Sequence, residues 1–333
     1  MKASVIGAGS WGTAFALHLG RQNIKTQLWV REQDIYDEIV RKKENKVFLP
    51  DFIFPSSVSF SHDLKDAVNE TDIIFIAVPS KFCRSIYKQL APFLSSNQIL
   101  VSLTKGIEKD SLKRMSEVME EMFLPYFYPK IAVLSGPSFA REVAERHPTA
   151  VVIAAKDFDL AKCIQHLISN AYFRAYTSND ITGVEIAGSF KNVIAIAAGI
   201  SAGLQFGNNS TAALVTRGIA EIARFGVKLG SKMETFSGLA GIGDLVLTCT
   251  GKLSRNRYVG YELGKGKSLA EITSNMKMIA EGIITARSSY QLAKRENVEM
   301  PICEEIYQVL YNNKSPRTAL QDLMSRKLKN EYY

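Results

Sequence analysis

The chain opens with a glycine pattern that few folds can accommodate. Residues 7–12 read Gly-Ala-Gly-Ser-Trp-Gly, directly after the apolar run Ala3–Ile6 and directly before a helical stretch. In such a unit Gly7 permits a tight turn, Gly9 lets a phosphate approach the backbone, and Gly12 lets helix and strand pack closely. The helix N-terminus adds free N–H groups and a positive partial charge. The pattern therefore predicts a phosphate-binding loop at the start of a dinucleotide-binding domain.

The following sequence alternates between apolar runs and helical stretches up to about Asp180. This alternation favours parallel strands joined by right-handed helical crossovers, which form a doubly wound sheet. The predicted strands are Ala3–Ile6, Thr26–Val30, Ile73–Val78, Ile99–Leu103, Ile131–Leu134 and Ala150–Ala154. The predicted helices between them cover residues 13–21, 35–43, 82–94, 112–122 and 160–168.

The second half of the chain has helical periodicity and few strand candidates. At 333 residues the chain is longer than a single hydrophobic core usually supports. We therefore predict an α/β protein with a Rossmann-type doubly wound domain over residues 1–180 and an all-α domain over residues 181–333. No flexible linker separates the two, so we expect them to pack against each other.

Charge and cysteine usage narrow the class of protein. The net charge is +8, but basic residues are interspersed with acids, as in residues 105–110, so the chain lacks the clustered basic surface of a nucleic-acid binder. A small phosphorylated ligand fits this balance. The cysteines at 83, 163, 249 and 303 are far apart, which predicts neither a disulfide framework nor a metal site.

Two further patterns bear on location. The N-terminus enters a strand directly and has no signal-peptide pattern, so we expect a cytoplasmic protein. The apolar segment 186–204 contains Lys191 and Asn192 and is rich in small residues, so we interpret it as a buried helix and expect no membrane insertion.

The end of the second predicted strand bears on the choice of cofactor. Dinucleotide folds usually place an acid there to bind the ribose hydroxyls, but this strand ends at Arg31, followed by Glu32. Arg31 suits the 2′-phosphate of NADP, whereas Glu32 suits the 2′-hydroxyl of NAD. The pair favours NADP without excluding NAD, and a solvated ion pair with no ligand is the simpler alternative.

Polar residues follow the later strands, where a substrate would lie. Lys105 comes directly after one strand and the segment Ser135–Ala140 after the next. Since ligands of open parallel sheets bind beyond the carboxyl ends of the strands, we expect Lys105 to face a cleft. The alternative is an ordinary solvated lysine.

One lysine lies within a long apolar helix. Lys191 is the only charged residue between Ile186 and Gly207. Burial would lower its pKa towards neutrality, which suits a proton donor and acceptor. A lysine whose stem covers apolar surface while its head reaches water is the alternative.

Two segments of the second half are candidates for polar contacts. Residues 238–244 form a glycine cluster that we interpret as a tight turn presenting Asp244. Further on, Ser254 or Asn256 is placed to cap a helix, and its free N–H groups together with Arg255 would hold a phosphate. A capped helix with surface arginines is the simpler interpretation.

Taken together, these residues resemble those of the bacterial-type NAD(P)-dependent glycerol-3-phosphate dehydrogenases. The resemblance covers nearly the whole chain through an ordered set of motifs. These are 7–14 (GAGSWGTA), 28–31 (LWVR), 45–50 (NKVFLP), 77–80, 103–106 (LTKG), 135–140 (SGPSFA), 185–192, 238–244, 254–257 and 280–282. The chain departs from the family pattern at Phe48, where tyrosine is usual, at Asp51, where glycine is usual, and at Glu32.

The resemblance implies a two-domain fold like that of 6-phosphogluconate dehydrogenase, a homodimer, and reversible reduction of dihydroxyacetone phosphate to sn-glycerol 3-phosphate for phospholipid biosynthesis. It implies Lys191 as the general acid and base. The implied cofactor contacts are Ser10, Trp11, Arg31, Lys105, Ala140, Arg255, Ile279 and Glu281. The implied substrate contacts are Lys105, Gly136, Ser138, Lys191, Asp244, Ser254, Arg255 and Asn256. A related dehydrogenase for a hydroxy acid or a phosphorylated sugar acid is the alternative enzyme, and a dinucleotide sensor is the alternative outside enzymes.

Overall fold

The computed structural model describes residues 1–274, 276 and 280–331. Within these residues, eight strands form a sheet in the order β10-β9-β8-β7-β6-β1-β2-β5, and β3 and β4 form a separate hairpin. The strands are β1 Ala3–Ile6, β2 Thr26–Trp29, β3 Glu44–Asn45, β4 Leu49–Ile53, β5 Val58–Ser61, β6 Ile73–Ile76, β7 Ile99–Ser102, β8 Lys130–Ser135, β9 Thr149–Ala155 and β10 Phe173–Ser178.

Strand β1 lies between β2 and β6, and all three are parallel. The chain builds the sheet outwards from β1 in both directions, so the crevice where a ligand is expected lies at the carboxyl end of β1. The glycine loop that begins at Gly7 occupies this position. The predicted doubly wound α/β domain is therefore present.

The predicted orientation of the strand at Ala150–Ala154 is wrong. Strand β9 is antiparallel to β8, with Ser135 opposite Val152, and β10 follows β9 in the same direction. An apolar run is equally buried in either direction, so its composition carries no information on orientation. Because β8 itself is parallel to β7, the loop after Ser135 still lies at the same edge of the sheet as the glycine loop, and β9 starts from that edge.

The helices cover the sheet and build the second domain. They are α1 Ser10–Gly20, α2 Gln33–Lys42, α3 Leu64–Val68, α4 Ser80–Leu90, α5 Met115–Phe123, α6 Ala140–Ala144, α7 Phe158–Ile168, α8 Ile181–Gly203, α9 Asn208–Lys228, α10 Met233–Ser237, α11 Asp244–Thr250, α12 Arg255–Gly264, α13 Leu269–Ser274, α14 Glu281–Arg295, α15 Pro301–Tyr311 and α16 Pro316–Met324. A 3-10 turn covers Ala91–Phe93, and a π-helical turn covers Leu239–Gly243. From α8 onwards the described residues contain helices and no strand, as predicted, while the domain boundary at 180/181 stays a prediction.

Helix α8 forms the centre of the helical domain. It is long and apolar enough to cross a membrane, but 89% of its most apolar window is buried inside the chain. Its glycines allow unusually close packing: a Cβ at Gly199 would lie 2.1 Å from the carbonyl oxygen of Arg257 in α12. Because α12 crosses α8 at backbone distance, the residues at the start of α12 are held close to the middle of α8.

The departure at Asp51 has a local structural explanation. Asp51 adopts a φ of 80°, in the left-handed region where glycine is the least strained residue. Its carboxylate accepts a hydrogen bond from Arg141 Nη2 at 3.0 Å. An aspartate tolerates this conformation better than most residues, which explains how the hairpin keeps its shape here.

A buried carboxylate joins α9 to α15. Glu221 accepts hydrogen bonds from the backbone N–H of Ile302 at 2.9 Å and from that of Cys303 at 3.4 Å. Burial raises the pKa of Glu221 from 4.5 to about 7, although these two N–H groups favour its charged form. The folded chain therefore binds a proton at Glu221 more tightly than the unfolded chain does.

We expect this group to make stability depend on pH. Since the folded-state pKa exceeds the unfolded value, its stabilising contribution is complete below pH 4.5 and is lost as the pH rises through about 7. The substitution Glu221→Gln should therefore raise Tm, relative to wild type, by roughly 5 °C more at pH 8 than at pH 5. Thermal unfolding at both values, with the exposed Glu234→Gln as control, tests this. An equal difference at both pH values would contradict it.

Candidate active site

A cleft of about 540 Å³ lies beyond the carboxyl ends of the strands, where α8, α11 and α12 face the glycine loop. Most of the predicted site residues line it. These are Gly7, Gly9, Ser10, Trp11, Arg31, Lys105, Ser138, Ala140, Lys191, Ser254, Arg255, Asn256 and Glu281. Gly12, Gly136 and Asp244 lie behind the wall, each in contact with a lining residue. Ile279 lies outside the described residues.

The glycine loop has the shape that a dinucleotide requires. Gly7 has a φ of 109°, and a Cβ at Gly12 would lie 1.9 Å from the carbonyl oxygen of Gly7. Neither position tolerates a side chain. At Gly9 no described atom lies within 4 Å of the position of a Cβ, so the space above the start of α1 is open. The loop therefore fits the pyrophosphate of a dinucleotide.

Arg31 and Glu32 lie together at one side of the cleft. The Nε and Nη2 groups of Arg31 both donate to Glu32 Oε1, with 2.9 Å from Nε. The guanidinium carbon of Arg31 lies 5.0 Å from the centre of the Phe82 ring. A cofactor ribose in this region would meet a cation already partnered by a carboxylate.

The most unusual feature is a carboxylate held between two lysines. Asp244 Oδ1 accepts a hydrogen bond from Lys191 Nζ at 2.5 Å, and Asp244 Oδ2 accepts one from Lys105 Nζ at 2.6 Å. The side chains of Asp244 and Lys191 are only 1% and 7% exposed, whereas Lys105 is 20% exposed. Lys105 also donates to the carbonyl oxygen of Gly136 at 2.9 Å, and Ser138 Oγ donates to the same carbonyl at 2.9 Å.

These charges set the proton affinities of the group. Burial lowers the pKa of Lys191 to about 8, although Asp244 opposes the shift, and the positive charge of Lys105 lowers it further. Burial alone would raise the pKa of Asp244, but Lys105 and Lys191 together hold it below its usual value. Near neutral pH the cleft therefore contains a charged carboxylate beside an ammonium that readily exchanges its proton.

Sequence reasoning missed Thr248. Its Oγ1 accepts a hydrogen bond from Lys191 Nζ at 2.7 Å. The glycine cluster was predicted to end in a tight turn at Asp244, whereas Asp244 is the first residue of helix α11, after the π-helical turn. Thr248 follows Asp244 by four residues and hence lies on the same helix face, so a helix prediction here would have found it.

The start of α12 brings further polar groups to the cleft. Ser254 caps the helix by accepting from the backbone N–H of Arg257 at 3.2 Å, which settles the choice between Ser254 and Asn256. Asn256 instead donates to Asn192 Oδ1 at 2.9 Å and accepts from the N–H of Gly282 at 2.9 Å. Arg255 lines the cleft at the helix N-terminus. Free N–H groups and one guanidinium thus converge at a position suited to a phosphate.

Glu281 joins the helical domain to the dinucleotide domain. It accepts hydrogen bonds from the backbone N–H and from Oγ of Ser80, at 3.0 and 2.6 Å. Ser80 is the first residue of α4, so the carboxylate lies at a helix N-terminus. Burial raises the pKa of Glu281, while these bonds favour the charged form.

The comparisons with known proteins agree with this architecture. The family model of the NAD-dependent glycerol-3-phosphate dehydrogenase N-terminus matches residues 2–161, and that of the C-terminus matches residues 180–321. Glycerol-3-phosphate dehydrogenase (NAD(P)+) of Syntrophobacter fumaroxidans is 49% identical over 98% of this chain and 96% of its own length. The corresponding protein of Koribacter versatilis is 48% identical over 98% and 97%.

A solved structure extends the similarity to three dimensions. The crystal structure of glycerol-3-phosphate dehydrogenase from Coxiella burnetii superposes with a TM-score of 0.94 at 38% identity, covering 98% of this chain and 99% of that one. The two family models and the full-length relatives cover both halves of the fold described above. The chain therefore belongs to the NAD-dependent glycerol-3-phosphate dehydrogenase family.

Proposed function

We propose that the protein is a glycerol-3-phosphate dehydrogenase that uses NAD(P)H to reduce dihydroxyacetone phosphate reversibly to sn-glycerol 3-phosphate. This product is used for phospholipid biosynthesis. The observation that carries this proposal is the Lys191–Asp244–Lys105 group, which lies in the same cleft as the glycine loop. Family membership supports it. The alternative hydroxy-acid or sugar-acid dehydrogenase lacks this support from the relatives.

Lys191 acts as general acid and base. The nicotinamide cofactor, when bound, supplies the hydride for the carbonyl carbon of the substrate. Lys191 donates a proton to the oxygen that becomes the alkoxide and takes it back during oxidation. Asp244 accepts one hydrogen bond from the Lys191 ammonium group and keeps it directed at the cleft, and Thr248 Oγ1 accepts a second one. Lys105, with Gly136 and Ser138 beside it, orients the substrate hydroxyl.

The phosphate of the substrate binds at the start of α12. Arg255 supplies a charge-assisted hydrogen bond, and Ser254 and Asn256 complete the site. Binding energy at this end fixes the carbonyl group against the cofactor. The dinucleotide is held by Gly7, Gly9, Ser10, Trp11, Gly12, Arg31, Ala140 and Glu281.

We further propose that the enzyme is a cytoplasmic homodimer that neither inserts into membranes nor binds nucleic acid. Unpaired cysteines support the cytoplasmic location, the dispersed basic charge argues against binding of nucleic acid, and the burial of α8 argues against membrane insertion. The homodimer is what the family resemblance implies. Sedimentation of the purified chain, with and without added DNA, tests the homodimer and the absence of nucleic-acid binding.

The pKa of Lys191 predicts the pH dependence of both directions. Reduction requires the protonated amine, so kcat should fall as the pH rises through about 8, whereas kcat for oxidation should rise over the same range. Substituting Lys191→Arg keeps the charge but raises the proton affinity far above this range. Its kcat should be about 10²- to 10⁴-fold lower, with no break near pH 8.

Cofactor absorbance with dihydroxyacetone phosphate or glycerol 3-phosphate as substrate, followed from pH 6 to 10, measures these rates. The exposed Lys228→Arg is the matched control and should behave like wild type. Near-normal turnover of Lys191→Arg would remove Lys191 from the reaction, and an inactive wild type would refute the proposed substrate.

Arg255 should govern substrate affinity. Replacing Arg255 by alanine removes a charge-assisted hydrogen bond to the phosphate, so KM for dihydroxyacetone phosphate should rise about 10- to 100-fold. Arg257→Ala, two positions along the same helix, is the control. Steady-state kinetics with unchanged KM in Arg255→Ala would exclude it from the phosphate site.

Glu32 should reduce the preference for NADP. The Glu32 carboxylate accepts hydrogen bonds from Arg31 and would repel a 2′-phosphate. We therefore expect Glu32→Gln to lower the Kd for NADPH, relative to the Kd for NADH, by about fivefold. Both tryptophans, Trp11 and Trp29, line the cleft, so their fluorescence can report the two Kd values. Asp34→Asn, in the first turn of α2, is the control, and an unchanged ratio of Kd values would contradict the prediction.

A further inference from the structure

The segment 105–114, which we call the Lys105 loop, connects β7 to α5. Although it belongs to the dinucleotide domain by sequence, its apolar side chains pack in the core of the helical domain. Ile107 is fully buried in the same cluster as Ile186 and Phe190 of α8, and Leu112 packs against that cluster. The loop therefore lies on α8.

Each end of the loop makes a polar contact that leads to α8. At one end Lys105 binds Asp244, the partner of Lys191, and a Cβ at Gly188 of α8 would lie 3.6 Å from Lys105 Cγ. At the other end Arg114 Nη1 donates to Glu185 Oε2 at 2.8 Å. Glu185 and Lys191 lie on one helix, six residues or about 9 Å apart.

Glu185 is a buried carboxylate with well-defined partners. The backbone N–H of Ser116 donates to Oε1 at 2.8 Å, and Ser116 Oγ donates to Oε2 at 2.5 Å. Burial raises its pKa, which Arg114 and Ser116 oppose, while the nearby Glu117 raises it further. Glu185 is only 4% exposed, so water cannot stabilise its charge, and Arg114 and Ser116 do so instead.

The loop between the two contacts is stiff. Ile107 and Arg114 form an antiparallel bridge, and the N–H of Glu108 donates to the carbonyl of Lys113 at 2.9 Å. Arg84 of α4 donates two hydrogen bonds to the carboxylate of Glu108, at 2.8 and 2.7 Å. Lys105 and Arg114 are therefore the two ends of one hydrogen-bonded segment.

We propose that Glu185 is a positioning residue: by fixing the Arg114 end of the Lys105 loop on α8, it sets where Lys105 meets Asp244 and Lys191. This inference rests on the proposed function, because it concerns the placement of the proposed proton donor relative to the substrate-orienting lysine. Glu185 touches neither ligand. It acts through Arg114 and the loop.

The placement has an electrostatic consequence that can be measured. Lys191 faces Asp244, Lys105 and Cys249, and the charge of Lys105 lowers the proton affinity of Lys191. If Lys105 moves away, its repulsion of the Lys191 ammonium decreases, and the Asp244 carboxylate pairs with Lys191 alone. Both changes favour the protonated amine, so the pH at which reduction slows should rise.

The test is Glu185→Gln, which keeps the shape of the side chain and the hydrogen bond from the backbone N–H of Ser116. It replaces the carboxylate oxygen that accepts from Arg114 and from Ser116 Oγ by an NH2 group, which cannot accept. We expect kcat for dihydroxyacetone phosphate reduction to fall about 10- to 100-fold, because a displacement of about 1 Å costs on this order. The kcat break should shift to higher pH.

Glu117→Gln is the matched control, because Glu117 is the second carboxylate that binds Arg114, at 3.0 Å, but does not lie on α8. This substitution should lower Tm at most and should leave kcat and the pH of its break unchanged. Arg114→Gln should reproduce the kinetic effect of Glu185→Gln, and the double variant should be no slower than either single variant. Arg114→Gln also decides the matter if Glu185→Gln does not fold.

A loss of Tm in Glu185→Gln or Arg114→Gln with wild-type kcat and an unshifted break would overturn the inference, since that is the result of a purely structural ion pair. Inactivity of the wild-type enzyme towards dihydroxyacetone phosphate would instead count against the proposed function. The two failures are thus distinguishable.

Discussion

The structure of the site depends on one buried carboxylate between two amines. Asp244 is 1% exposed and carries a negative charge that water does not stabilise. An isolated carboxylate in this position would take up a proton, so Lys105 and Lys191 are required to keep it charged. In return Asp244 keeps Lys191 in place, while burial keeps the pKa of that lysine near 8. Asp244 therefore keeps its charge only because both lysines are present.

This arrangement requires the two domains to be rigidly packed. Lys105 follows a strand of the sheet, Lys191 lies in the middle of α8, and Asp244 begins α11. Ion pairs of 2.5 to 2.6 Å across three elements tolerate little relative motion. The contacts that limit such motion are distributed around the cleft: Glu281 on Ser80, the apolar packing of Ile107, and the pair of Arg114 and Glu185. Small residues on α8 allow these approaches, since a Cβ at Gly188 would lie 2.5 Å from Ser135 Oγ.

The cleft separates two tasks. The glycine loop and the start of α1 offer backbone N–H groups to a dinucleotide, and they do so by conformation, because Gly7 and Gly12 exclude side chains. The opposite wall offers charged side chains whose positions depend on packing between helices. The shape of the phosphate loop is thus a local property of one strand, loop and helix, whereas the charged group of Lys191, Asp244 and Lys105 forms only where the two domains meet.

The sequence alone determined the features that depend on local pattern. The glycine loop, the doubly wound sheet, the helical second half and the isolated lysine all follow from spacing and periodicity within short segments. It did not determine the direction of β9, because an apolar run is buried equally well in either direction. It also did not predict the helix after the glycine cluster. Of the partners of Lys191, Asp244, 53 residues away along the chain, was linked to it only through the family resemblance, and Thr248, 57 residues away, was missed. Only the tertiary structure decided which charges meet, because the pKa of a buried amine is set by neighbours that packing, and not sequence order, brings to it.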